Sequence, residues 1–146
     1  MKLFKLLHDN TLYPSKAYVK DAGYDIYLPC DITLSPGETI KLPLEVSINW
    51  DIIDTQFITA LILPRSSSLL YGKINMMAGV IDYGYTGSLH FVGTNISNET
   101  IILKKETRVL QCVFLNILNK IDDTNVINKD DRKNSSFGSS GGALKS

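Results

Sequence analysis

Two aspartates stand in segments that otherwise read as β-strand. Asp82 follows the apolar run Gly79, Val80, Ile81 in GVIDYGYTG, and Asp25 sits inside AGYDIYLP between Tyr24 and Ile26. Aspartate is depleted in strands, so each carboxylate needs a reason to be there. A carboxylate held rigidly at a strand end can orient a hydroxyl or a water, the work of a general base. Around Asp82, Gly79 admits a close backbone, Val80 and Ile81 continue the strand, and the run YGY with Gly87 supports a tight hairpin reversal. Asp82 would then be rigid and partly shielded beside the ring of Tyr85. The alternative for both aspartates is a turn residue satisfied by local amides.

Three further segments supply groups suited to anions. In PRSSS (residues 64–68), Ser66 or Ser67 can cap a short helix, SSSLLYG, that Gly72 ends. Free N–H groups there, with Arg65 and the hydroxyls, would favour an anion, and an ordinary capping turn is the alternative. In RVLQCVF, Gln111 is the one polar side chain after Arg108; it either serves a site or faces solvent. The polar C-terminal stretch carries a lone aromatic, Phe137, in NSSFGSSGG, with Arg132 five residues before it. Charge, Gly/Ser donors and a stacking ring would make a phosphate-binding arm, and a plain disordered tail is the other reading.

The elements that must position these groups are strands. Short β-rich runs, AYVK, YDIYL, ETIKLPLEVSI, FITALIL, SLHFVGT, TIILK and RVLQCVFLNIL, are separated by turn residues, which fits an all-β barrel or sandwich. FITALIL is apolar on both faces except where it opens, so the strand is expected to be buried on both sides at the centre of the fold. The expected organisation is a β core over residues 1–118 and an arm over 119–146 in one domain, a chain of 146 residues being long enough to bury a core. Fifteen basic and fifteen acidic residues cancel, so any anion site must be built locally, and no basic stripe with interleaved aromatics favours nucleic acid. Cys30 and Cys112 match no metal spacing and are expected as reduced, buried thiols. The opening MKLFKLL stops at His8, short of a signal core, and no run approaches the ~18 apolar residues of a membrane span. A soluble, intracellular (cytoplasmic or nuclear) protein is expected, with the sequons at Asn95, Asn98 and Asn134 as chance matches.

In order and spacing, AGYDIYLP, PRSSS, AGVIDYGYTG, RVLQCVF and RKNSSFGSSG resemble the five motifs of the homotrimeric deoxyuridine triphosphatases, from about Ala22 to Gly141. The resemblance implies a distorted β-barrel, jelly-roll-like, with one short helix and a flexible C-terminal arm. It implies hydrolysis of dUTP to dUMP and pyrophosphate with Mg2+, limiting uracil in DNA and supplying dUMP for thymidylate synthesis, in a homotrimer with shared sites. By position, Gly79, Val80 and Ile81 would read uracil through main-chain groups. Asp82 would hold the 3′-hydroxyl and orient the attacking water, and Tyr85 would pack under the sugar. Asp25 would meet magnesium through its water shell, while Arg65, Ser66, the Ser67 amide and Gln111 would meet phosphates. Arg132 would reach the γ-phosphate, Phe137 would close over uracil, and Gly138, Ser139 and Ser140 would finish the cradle.

The chain departs from the family at Ser67, Lys133, Ser135 and Ser136, where glycine is usual, and at Thr107, where an aspartate commonly supports the following arginine. A dCTP deaminase of the same fold, or a bifunctional enzyme, would need a glutamate where Val92 stands. A nucleotide-binding regulatory scaffold would need no Asp82 for hydrolysis.

Overall fold

The computed structural model describes residues 1–65, 72–77 and 79–118. Its strands are β1 (Phe4–Leu6), β2 (Gly23–Tyr27), β3 (Ile32–Leu34), β4 (Thr39–Pro43), β5 (Val46–Ile48), β6 (Ile58–Pro64), β7 (Ile74–Met76), β8 (Gly79–Ile81), β9 (His90–Asn95), β10 (Ile101–Leu103) and β11 (Arg108–Asn116). The all-β expectation holds, and the helical element among the described residues is a single 3-10 turn at Trp50–Ile52 that the sequence reading did not foresee. The short helix expected at SSSLLYG falls mostly on residues 66–71, outside the described residues, as does the arm at 119–146.

Every ladder is antiparallel, and the strands form sheets ordered β2-β11-β6-β8, β4-β9-β7, β1-β5 and β10-β3. Among the described residues these sheets do not close into a ring. Alternation along β6 explains the core: Ala60 and Ile62 are buried with Ile26, Ile81, Leu110 and Cys112, while Thr59, Leu61 and Leu63 on the other face are only half-buried. The β6 strand lies between β11 and β8, but the expected burial on both sides is corrected: one of its faces is incompletely covered within a single chain. The register aligns Val113, Leu61 and Val80 in an outward row, and Val80 is 67% exposed.

Asn95 is fully buried with its amide saturated. Nδ2 donates to the carbonyls of Leu34 (2.9 Å) and Glu99 (2.7 Å), and Oδ1 accepts from the Ser97 N–H (2.9 Å) and Oγ (2.8 Å). Such a side chain cannot take a glycan without unfolding, which agrees with a chance sequon. Cys112 is buried as expected, and desolvation pushes its thiol up to about 12. Cys30 corrects the expectation, because it is exposed in the loop between β2 and β3 and neither thiol is bonded to the other.

Two outcomes follow. Asn95→Ala should cost about 2–4 kcal/mol in a urea melt, since it strands several buried polar groups; a loss within experimental error would contradict the network. In the native protein Ellman's reagent should titrate Cys30 rapidly and leave Cys112 until denaturant is added. A second fast thiol would contradict the burial.

Candidate active site

The register of β11 gathers the first group of side chains. Gln111 lies opposite Asp25 of β2 on one side and Leu63 of β6 on the other, so the row ends beside Pro64 and Arg65. Asp25 is fixed through its backbone by a bridge to Ser15, with N–H···O distances of 2.7 and 3.2 Å. Its carboxylate accepts from Arg65 Nε at 2.7 Å and from an Arg108 guanidinium nitrogen at 3.4 Å. Asp25 and Arg65 are largely shielded, at 16% and 19% side-chain exposure, whereas Arg108 is half-exposed. Gln111 Nε2 donates to the Pro64 carbonyl at 3.0 Å. Asp21, Gly23, Asp25, Arg65, Arg108 and Gln111 line a cavity of about 360 Å³. Two guanidinium groups and an amide converging on a polar cavity suit a phosphate chain, for which arginine has matched donor geometry.

Arg108 was absent from the candidate set, and the reason is geometric. Strict alternation sets residues 108 and 111 on opposite faces of a strand. A β-bulge between Arg108 and Leu110 inserts one extra residue, which turns Arg108 toward Asp25. Thr107, where the resemblance expects an aspartate, donates instead to the Lys104 carbonyl at 2.6 Å, and Arg108 draws its ion pair from Asp25.

The second group surrounds Asp82. Thr59 Oγ1 donates to the Ile81 carbonyl at 3.0 Å just before it, and the Tyr85 N–H closes a turn onto the Asp82 carbonyl at 3.2 Å. Gly84 sits at φ 82°, the left-handed region that the third residue of a type II turn requires. The expected hairpin is corrected: β8 pairs with β6, and the chain leaves the turn to join β9 in another sheet. Asp82 is exposed within the single chain rather than partly shielded. Tyr85 is buried, donates its hydroxyl to the Ser88 carbonyl at 3.1 Å, and has its phenol pKa raised by burial. Its own carbonyl accepts from the buried indole of Trp50 at 2.7 Å.

The two groups lie apart. Ile81 pairs with Ala60, five residues before Arg65, so the start of the Asp82 turn and Arg65 are about 17 Å apart along β6. The structure therefore brings Asp25, Arg65 and Gln111 together, runs Gly79, Val80 and Ile81 along the middle of β6 opposite Ile62, Leu61 and Ala60, and carries Asp82 and Tyr85 onward in the direction away from Arg65. Ser66, Ser67, Arg132, Phe137, Gly138, Ser139 and Ser140 lie outside the described residues.

Among the described residues no three His, Cys, Asp or Glu side chains gather to hold a metal directly. A magnesium ion that keeps its waters needs only one or two carboxylates beside phosphate oxygens, and Asp25 on the cavity wall fits that outer contact.

Residues 9–141 match the family model described as dUTPase. The deoxyuridine 5′-triphosphate nucleotidohydrolase of Monkeypox virus is 30% identical over 129 residues, 88% of this chain and 82% of that protein. The enzyme of the same name from Clostridioides difficile is 26% identical over 140 residues, 94% of this chain and 95% of its relative. A Pol polyprotein of Ovine maedi visna related virus is 23% identical over 146 residues, but the chain spans only 12% of its length. Among solved structures, the Staphylococcus bacteriophage 80alpha dUTPase G164S mutant with dUpNHpp superimposes with a TM-score of 0.68 at 25% identity, covering 94% of this chain and 96% of that one. The D95N mutant dUTPase from phage phi11 of S. aureus, a structure concerned with coordination of a structural Mg(II) ion, has a TM-score of 0.70 at 20% identity over 84% of this chain and 97% of its own.

Gly23 tests the geometry of the cavity. A Cβ there would lie 2.7 Å from Gln111 Oε1 and 3.1 Å from Gln111 Cβ. Gly23→Ala should push the amide off the Pro64 carbonyl at a cost of about 1–2 kcal/mol in stability and weaken binding of inorganic triphosphate several-fold by calorimetry. Unchanged affinity would remove Gln111 from the anion site.

Proposed function

The chain belongs to the dUTPase family, and from that premise we propose that it hydrolyses dUTP to dUMP and pyrophosphate by attack of water on the α-phosphorus. The observation that carries this reading is the cavity in which Arg65, Arg108 and Gln111 converge around Asp25. A phosphate chain entering there exchanges its water for fixed donors, which strengthen as negative charge moves onto the leaving pyrophosphate. Asp25 would hold magnesium through its waters, and the bound ion would neutralise phosphate charge during departure. Asp82 would take the 3′-hydroxyl and orient the attacking water, with Tyr85 forming the wall beneath the sugar. Main-chain groups of Gly79, Val80 and Ile81 would read uracil. Ser66, Ser67, Arg132, Phe137, Gly138, Ser139 and Ser140 would complete the cradle and its lid, a role drawn from their motifs alone.

We propose further that the protein works as a homotrimer with shared sites. The ~17 Å between the phosphate cavity and the Asp82 end of β6 is hard to reconcile with one nucleotide inside one chain, since the attacking water must lie within contact distance of the α-phosphate. The outward apolar row of Val113, Leu61 and Val80, on the sheet face that also carries Gln111, is suited to a neighbouring copy. A second subunit would then supply Asp82, now shielded, to the first subunit's cavity. Deamination of dCTP is disfavoured because β9, HFVGTN, has no carboxylate and Val92 occupies the position where one is needed. No described helix is long and apolar enough to cross a membrane, and an intracellular location is proposed from the substrate.

Asp82→Asn should bind dUpNHpp within a modest factor of the parent protein while turnover of dUTP falls by about 10²–10⁴, followed as pyrophosphate release with magnesium. Retained turnover would refute the assigned role. With the parent protein, dUTP should be cleaved in strong preference to dTTP, dCTP and UTP, and no ammonia should form from dCTP.

A further inference from the structure

We propose that Thr59 and Trp50 are positioning residues that pin the two ends of the Asp82 turn and thereby aim its carboxylate. The inference rests on the hydrolytic reading of Asp82 and concerns how that side chain is held. The turn passes between two sheets, so no ladder runs along both of its sides. Its backbone is closed by an N–H···O contact of 3.2 Å from Tyr85 to Asp82.

Side chains from outside the turn restrain it at both ends. On the entry side, the Thr59 hydroxyl donates to the Ile81 carbonyl at 3.0 Å from the adjacent strand β6. On the exit side, the Trp50 indole N–H donates to the Tyr85 carbonyl at 2.7 Å. Both donors sit on elements that cannot easily move. Thr59 is held in β6 opposite Leu115 of β11, one residue past the last β8 pair, and Trp50 is 5% exposed in the 3-10 turn, its ring packed edge-on against Tyr83 (5.2 Å) and Phe114 (6.4 Å). Phe114 in turn pairs with Ala60 beside Thr59, so the two pins share one packed foundation. Only residues 82–84 lie between the pinned carbonyls, and Gly84 there already occupies the left-handed conformation. The direction of the Asp82 side chain follows from a backbone fixed immediately before it and shortly after it.

A carboxylate that orients water is sensitive to misplacement, for a shift of about 1 Å can cost 10²-fold in rate. Loss of one pin should therefore lower kcat far more than it alters nucleotide binding. Thr59→Val keeps the shape and deletes the donor; Thr59→Ser keeps the donor. Trp50→Phe keeps an aromatic ring and removes the N–H.

The test is steady-state dUTP hydrolysis for Thr59→Val, Thr59→Ser, Trp50→Phe and Asp82→Asn, with circular-dichroism melts on each. The expected result is a kcat about tenfold lower for Thr59→Val and Trp50→Phe, KM within about twofold of the parent, and near-parental kcat for Thr59→Ser. If Asp82→Asn abolishes turnover but both donor deletions keep the parental kcat, whether or not they melt earlier, the pins are structural only and the proposal fails. A matching rise in KM would also overturn it, because the turn would then serve binding. If Asp82→Asn itself turns over normally, the hydrolytic reading fails first and the positioning role falls with it. Should Trp50→Phe not fold, the two Thr59 variants decide the matter alone.

Discussion

One strand sets the scale of the molecule. The β6 strand is flanked by β11 and β8, and its antiparallel register assigns one end to the Arg65 cavity, the proposed phosphate site, and the other to the turn that bears Asp82. The spacing is a matter of backbone rise per residue, so no side-chain rearrangement within the sheet removes it. Everything proposed about the assembly follows from that separation. The outward row Val113, Leu61 and Val80 supplies the apolar surface an assembly would cover, and it belongs to the same sheet face as Gln111. Association would thus build an active site and bury the surface that a single chain leaves open.

The working groups depend on departures from regular β structure. A bulge redirects Arg108, a glycine without a side chain gives Gln111 its room, and a positive-φ glycine turns the chain after Asp82. Regular ladders provide rigidity, while these irregularities aim the polar groups. Asp25 shows how the two combine. Strand pairing fixes its backbone, two guanidinium groups meet its carboxylate, and Asp21 on the same cavity wall brings the charges to balance before a ligand arrives. An incoming phosphate chain would compete with Asp25 for those guanidinium donors, and a bound magnesium ion would neutralise part of the added charge.

Much of this was legible in the residues. Alternating apolar runs gave the all-β class, FITALIL its interior position, and the five motifs both the family and the grouping of Asp25, Arg65 and Gln111. The misses have physical causes. Arg108 was hidden because period-two alternation does not survive a bulge, and Trp50 and Thr59 because their donors meet carbonyls 35 and 22 residues away. The hairpin expected after Val80 and Ile81 failed because turn chemistry fixes a reversal but not the strand that receives it. Cys30 was assigned to the interior by residue type, whereas its place in the connection from β2 to β3 exposes it.

The central claim is that Arg65 of one subunit serves the same nucleotide as Asp82 of another. It is tested most directly by complementation: Arg65→Ala and Asp82→Asn chains, each inactive alone, are unfolded together, refolded and assayed for pyrophosphate release from dUTP. With sites shared between neighbours, random mixing should restore about a quarter of the parental activity, because each site draws one group from each of two chains in a closed ring. If every site lies within one chain, each carries a defect, and a mixture as inactive as its components would contradict the account.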